Sequence, residues 1–317
     1  MNAMKILLMT LVAFLLTACG NQAEGGSQVN DQASENGGDP ISFVATTTHA
    51  KDIVTQIGGD HIEVDALMGP GVDPHEYQPS SSDVEALQNA EVVAYNGLHL
   101  EGMFDSVFES LDEMGKDTLI LADALSEDQI LASDEDDLAH DPHIWFSVEN
   151  WRDIAQHTAD YLSNLDPDNE ADYQSNVENY LAELDELDDY INSRIEEVPE
   201  ESRYLITAHD AFNYFGEDFD FEVIGIQGLN TKTEAGTGDI ADLADFIVEN
   251  NIKAVFIESS VSDRNVSALV EAVESRGGNL EIGGELYSDA LGSDEDGAGN
   301  YIDMYKANID TIVDALK

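Results

Sequence analysis

Hydrophobic positions along this chain switch repeatedly between two spacings. Short, nearly continuous apolar runs at 42–46, 62–67, 92–95 and 118–121 carry β-branched and aromatic residues and read as strands buried on both faces. Between them, near 49–58, 82–89 and 102–114, apolar residues recur every three or four positions, as on one side of a helix. The order β-α-β-α-β-α-β predicts a parallel sheet with helices on its faces. A further helix at 149–164 stops before Asp166-Pro167. The second half repeats the pattern, with strands at 204–207, 222–226, 254–257 and 280–282 and helices near 210–216, 238–250, 264–276 and 301–316.

Between the halves lies one long stripe: Tyr173, Val177, Tyr180, Leu181, Leu184, Leu187, Ile191, Ile195 and Val198. Steps of three and four over about thirty residues predict a single helix of roughly 45 Å, ended by Pro199. A helix of that length would join the halves stiffly. About 280 ordered residues exceed what one core usually supports, so two domains are expected. The predicted class is α/β, with two lobes, each a mostly parallel four-stranded sheet flanked by helices. Residues 41–165 form the N-terminal lobe, 166–199 the linking helix and 200–317 the C-terminal lobe.

The N-terminus follows different rules. Lys5 precedes an apolar stretch from Ile6 to Leu16 and then small residues, which is the make-up of a signal peptide over 1–18 and too short for a comfortable membrane span. Leu16-Thr17-Ala18-Cys19 resembles a bacterial lipobox, which would make Cys19 the lipidated first residue of the mature chain. Cys19 is the only cysteine, so no disulfide can form within the chain. Gly, Asn, Gln, Ser and Asp dominate the following residues to position 40, a composition that serves as a flexible tether.

Sixty-seven acidic residues face 12 basic ones, for a formal net charge of −55. Such a body repels nucleic acid and anionic membrane surfaces. A hydrophobic fraction of 42% with regular periodicity argues against disorder. Adaptation to high salt accounts for both, because the Debye length falls to about 3 Å at 1 M and screens self-repulsion. The expected source is halophilic, and the acidic cluster 134–137 is expected to be a solvated face.

Candidate chemistry centres on a repeated tripeptide, Asp73-Pro74-His75 and Asp141-Pro142-His143, in a chain with only 7 Pro and 8 His. Proline stiffens each loop and leaves the histidine less freedom to lose on binding. His75 follows the second strand, His143 the fourth, His209 the first strand of the second half, and Asp289 the last strand. Ligands of open parallel sheets bind beyond the carboxyl ends of strands, so these four side chains are expected to meet there. Three imidazoles and a carboxylate suit zinc, or manganese with the carboxylate bidentate. The sequence has no phosphate-cradling G-x-x-x-x-G-K-[ST] and no G-x-G-x-x-G. It also lacks the H-E-x-x-H helix and G-x-S-x-G elbow that would speak for a zinc hydrolase.

Several segments resemble one known family along nearly the whole mature length: DPHEYQPS (73–80), NGLHLEG (96–102), DPHIWFS (141–147), TAHDAFNYFG (207–216), ESS (258–260) and GGELYSDALG (283–292). The chain is similar to the metal-binding lipoprotein receptors of bacterial zinc/manganese ABC transporters, some of which carry adhesin labels. The resemblance implies two lobes joined by a rigid helix, with one zinc or manganese ion in the cleft held by His75, His143, His209 and Asp289. It further implies an extracytoplasmic monomer, lipid-anchored to the membrane, that hands its ion to a permease and its ATPase and is not an enzyme. Zinc hydrolase and surface adhesin are the rival readings.

Three features depart from the family pattern. The acidity is extreme, the His-rich loop of dedicated zinc receptors is replaced by an acidic stretch at 126–140 with only His140, and position 209 carries His where many manganese receptors carry Glu. Imidazole favours zinc, whereas the missing loop leans towards manganese. Among the remaining residues, His99 and His140 read as loop histidines, and His49, His61 and His157 as surface or capping residues. Glu258 is a candidate acceptor behind a ligand histidine. Trp145, Phe212 and Tyr214 flank the ligand positions and would keep water out. Because only neutral imidazole binds metal, affinity is expected to fall as pH drops through about 6.5.

Overall fold

The computed structural model describes residues 39–133, 138–233 and 235–317. The expected signal peptide, Cys19, nearly all of the tether and the acidic cluster 134–137 lie outside the described residues.

In the first half, β1 (Ile41–Ala45), β2 (Ile62–Ala66), β3 (Val92–Tyr95) and β4 (Asp117–Ile120) form one parallel sheet in the order β2-β1-β3-β4. Helices α1 (Thr48–Gly58), α2 (Ser81–Asn89) and α3 (Asp105–Glu113) connect them, and α4 (Val148–Leu165) follows. Their starts are written in side chains: Thr47 accepts from the Ala50 amide, Ser80 and Asp83 form a capping box, and Ser147 accepts from the Asn150 amide.

The second half repeats the arrangement. Strands β5 (Tyr204–His209) and β6 (Glu222–Gln227) pair in parallel, as do β7 (Ala254–Glu258) and β8 (Glu281–Leu286). These are two separate ladders, but β5 lies beside β7, so the four strands follow the order β6-β5-β7-β8 and mirror the first half. Helices α6 (Asn213–Phe219), α7 (Thr237–Asn250), α8 (Arg264–Ser275) and α9 (Tyr301–Leu316) complete it.

Between them runs α5 (Glu170–Ile195), a helix of 26 residues. At 1.5 Å per residue it spans roughly 39 Å, shorter than the 45 Å read from the stripe. The helix stops at Ile195, and Val198 is buried by the turn that follows instead of by a last helical turn. The rest of the stripe, from Tyr173 to Ile191, is buried as expected, apart from the half-buried Leu181. Its tyrosines have polar tasks: the Tyr173 hydroxyl donates to Asp166 at 2.8 Å, and Tyr180 accepts from the Trp151 indole at 3.0 Å. Helix α5 packs against α1 and α4 on one side and α9 on the other. Arg152 of α4 reaches Asp185 of α5 at 3.0 Å, and Arg194 of α5 reaches Asp310 and Asp314 of α9 at 2.8 and 3.0 Å.

Strand residues alternate between two sides, as a sheet covered on both faces requires. Phe43, Ala45, Leu205, Ala254 and Phe256 enter one large core that also holds Trp151, Leu184, Phe215, Tyr301 and Ile309. Val44 and Val93 instead join a smaller cluster with Leu87, Phe104 and Leu111, while Ile206, Ala208 and Val255 join another with Ile247, Leu269 and Val273. The large cluster draws on strands from both halves and on α5 between them.

Candidate metal centre

All four expected residues come together. His75 leaves the loop after β2, His143 the segment between β4 and α4, His209 is the last residue of β5, and Asp289 lies just beyond β8. Each is 1% exposed or less. His75 Nε2 lies 3.3 Å from His143 Nε2, and Asp289 Oδ1 lies 3.3 Å from His209 Nε2, 3.5 Å from His143 Nε2 and 3.9 Å from His75 Nε2. One ligating atom from each residue falls within 4.8 Å of all the others. Around a tetrahedral zinc ion with bonds of 2.0–2.1 Å, neighbouring ligand atoms sit about 3.3 Å apart. Two of the four distances are at that spacing, and His143 and His75 lie 0.2 and 0.6 Å further from Asp289.

Local sequence explains why each ring points inward. Asp73 Oδ1 accepts the His75 backbone N–H at 2.8 Å, and Asp141 Oδ1 does the same for His143 at 2.9 Å while also accepting His143 Nδ1 at 2.7 Å. These are Asx turns, in which an aspartate two residues ahead fixes the backbone. At the end of β5, the Glu258 carboxylate takes the His209 backbone N–H at 2.9 Å and Nδ1 at 2.5 Å. A histidine that donates Nδ1–H to a carboxylate leaves its Nε2 lone pair free for a metal. Gly225 secures the close approach behind it, since a Cβ there would meet the Asp210 backbone nitrogen at 2.4 Å. Beside Asp289, the Trp145 indole donates to the Ser288 carbonyl at 3.1 Å.

Charge and burial oppose each other here. Burial pushes His75 down to about 3. Burial also works against charged His143, but Asp141 and Asp289 outweigh it and raise that imidazole to about 9. For His209 the burial penalty is likewise overcome, by Asp289 and Glu258, and the group sits well above the usual histidine range. Asp289 would be raised by burial, yet the imidazoles, His209 foremost, hold it well below the usual carboxylate range. His209 Nε2 and Asp289 Oδ1 are buried and make no hydrogen bond. Buried polar atoms that lack a hydrogen bond are costly, and a cation at their centre would satisfy them.

His49 departs from its surface reading. It is buried, stacked on the Trp145 ring at 4.5 Å, with neither ring nitrogen hydrogen-bonded, and burial lowers it to about 3. Trp145 in turn meets His143 edge-on at 5.4 Å. The signal was available: His49, Ile53 and Ile57 repeat at four-residue steps on the buried side of α1. His99 and His140 stay outside the cluster and line a separate groove of about 620 Å³ with Tyr95, Phe108 and Ile120. His61 meets Asp172 at 2.8 Å near the surface, as expected, while His157 is half-buried on α4. Phe212 and Tyr214 are buried beside the ligand segments, and the Tyr214 hydroxyl donates to the Asp141 carbonyl at 2.9 Å.

Residues 43–315 match the family model described as zinc-uptake complex component A, periplasmic. The chain belongs to this family. Among characterised relatives of these zinc-uptake components, it is 39% identical over 304 residues to the manganese-binding lipoprotein MntA of Bacillus subtilis, covering 96% of each chain. It is 40% identical over 279 residues to the zinc-binding protein TroA of Treponema pallidum, covering 88% of this chain and 89% of TroA. The solved structure of that periplasmic zinc-binding protein superposes with a TM-score of 0.84, spanning 87% of this chain and 99% of the other. A manganese-bound periplasmic metal-binding protein from Candidatus Liberibacter asiaticus, 27% identical, superposes with a TM-score of 0.76 over 87% of this chain and 100% of its own. The family thus contains relatives named for either metal at nearly equal distance from this chain.

Proposed function

We propose that this protein is an extracytoplasmic receptor that captures one divalent transition-metal ion, zinc or manganese, and delivers it to an ABC permease powered by its ATPase. The ion is held by His75, His143, His209 and Asp289. The observation that carries this reading is the convergence of four buried ligand atoms within 4.8 Å, with His209 Nε2 and Asp289 Oδ1 3.3 Å apart and making no hydrogen bond.

In this reading the first half (41–165) and second half (200–317) act as two lobes, joined by the helix within 166–199, and the ion lies between them. Two carboxylates, Asp141 and Glu258, stand behind ligand histidines and raise their basicity towards the ion. Four protein ligands would close a tetrahedral coordination shell, which suits carriage and leaves no position for the activated water of a hydrolase. The three nitrogen donors favour zinc. Cys19 serves as the lipid anchor, in keeping with relatives named lipoproteins. The acidic body gathers cations and avoids nucleic acid.

The test is a metal competition. The chain starting after Cys19 is stripped with chelator and dialysed in molar KCl against equal zinc and manganese, with His209→Ala alongside. One retained ion per chain, lost in the variant, is the expected result, and its identity names the cargo. Equal retention in both proteins would place the binding elsewhere and end this assignment.

A further inference from the structure

Both aspartates of the repeated tripeptide have a second oxygen to account for. Asp73 Oδ1 holds the His75 backbone, and Asp73 Oδ2 accepts the hydroxyl of Thr231, 158 positions away in the segment after β6. Asp141 Oδ1 holds His143, and Asp141 Oδ2 accepts Asn213 Nδ2 at 3.1 Å, from the first turn of α6. In each case one carboxylate ties a first-half ligand loop to a second-half side chain. The Asp289 loop is tied the other way, since the Leu291 amide donates to the Thr48 hydroxyl at 2.8 Å and Trp145 to Ser288. His209 is braced by Glu258, from its own half.

We propose that Thr231 and Asn213 are positioning residues that clasp the His75 and His143 loops across the two halves and set the rate at which the bound ion leaves. This rests on the metal-receptor reading above. Neither residue touches the ion. Each acts through an aspartate that fixes a ligand histidine, so losing the bond frees that histidine's loop. A bond that holds a ligand loop in place acts on departure more than on encounter.

Thr231 offers a clean probe. Gln227 Nε2 donates to the Thr231 and Thr233 carbonyls at 3.2 and 3.3 Å, so the segment is braced independently of the hydroxyl. Thr231→Val removes the hydroxyl at constant shape, and Thr231→Ser keeps it. Asn213→Ala removes the second clasp.

The experiment loads the full chain with zinc and follows its transfer to excess fluorescent chelator by stopped flow, with association measured separately. Thr231→Val and Asn213→Ala are expected to release zinc about tenfold faster at unchanged association rate, as for loss of a hydrogen bond to a carboxylate. Thr231→Ser restores the slow rate, and the double variant releases zinc faster than either single variant, with coupling between them because both loops hold ligands of one ion. Release within about twofold of the parent in both variants, well short of the tenfold expected for such a bond, overturns the proposal. So does a serine variant as fast as the valine one, which marks a packing effect. A parent chain that holds no zinc at all overturns the receptor reading together with it.

Discussion

Glu258 grips His209 at two points, accepting its backbone N–H at 2.9 Å through one oxygen and its Nδ1 at 2.5 Å through the other. Each residue is the last of its strand, β7 and β5, which lie side by side. Parallel strands that end level therefore bring a carboxylate to a histidine without any loop. Two strand ends, with no loop between, fix this candidate ligand.

Glu258→Gln keeps the shape but removes the charge and one of the two acceptor sites. Metal affinity is expected to fall about 10- to 100-fold, the usual cost of losing the carboxylate behind a ligand histidine. Isothermal titration in molar KCl reads this directly. A change of less than about threefold would show that His209 holds its tautomer without Glu258.

The pH dependence follows from the raised imidazoles. With His143 lifted to about 9 and His209 above the usual range, both carry protons at neutral pH in the metal-free protein. Metal must displace them, so apparent affinity rises by about tenfold per displaced proton for each pH unit up to that value. This moves the expected fall upward from the 6.5 of an ordinary histidine. Stability of the metal-free form runs the opposite way. A histidine whose folded value is raised contributes fully below its unfolded value and loses that contribution as pH climbs through about 9. Titrations in buffers of different ionisation enthalpy count the protons, and melting curves of stripped protein between pH 6 and 9.5 test the second sign.

With 67 acidic residues against 12 basic ones, repulsion dominates the surface despite the pairs made by Arg152 and Arg194. Screening weakens both terms, and the larger one decides. The melting temperature is expected to rise from low to molar KCl. A flat or falling curve in differential scanning calorimetry would remove the halophilic reading.

Leu184 sits at the middle of α5, fully buried in the large core. Leu184→Ala is expected to cost about 2–5 kcal/mol of folding stability, as for other leucine deletions in well-packed cores. Denaturant unfolding measures it, and a loss under about 1 kcal/mol would mean the site collapses freely.

Periodicity and turn chemistry made most of this fold legible. All eight strands and the helices from α1 to α9 fall at or near the positions that their apolar spacing predicts. Errors cluster at ends. The first turn expected of α3 is a 3-10 turn at Gly102–Phe104, and α6 begins at Asn213 because β5 runs on through His209. The convergence of His75, His143, His209 and Asp289 was readable because each lies at or beyond a strand end, and topology does the rest. What the sequence hid are partners far apart in the chain: Asp73 with Thr231, Asp141 with Asn213, Trp145 with Ser288. Hydrogen bonds across such distances leave no local periodicity. His49 was legible in its spacing with Ile53 and Ile57, but a histidine near a helix start usually faces water, and that expectation outweighed the periodicity.

The uninterrupted apolar core has a mechanical consequence. Phe43 of β1, Leu184 of α5 and Ile309 of α9 belong to one cluster, so swinging the halves widely apart would wet the centre of the molecule. The solution envelope should then be almost indifferent to cargo, with small-angle scattering curves of stripped and loaded protein overlaying. A docking transporter that must tell full from empty would have to sense a few loops at the rim, not a change in overall shape.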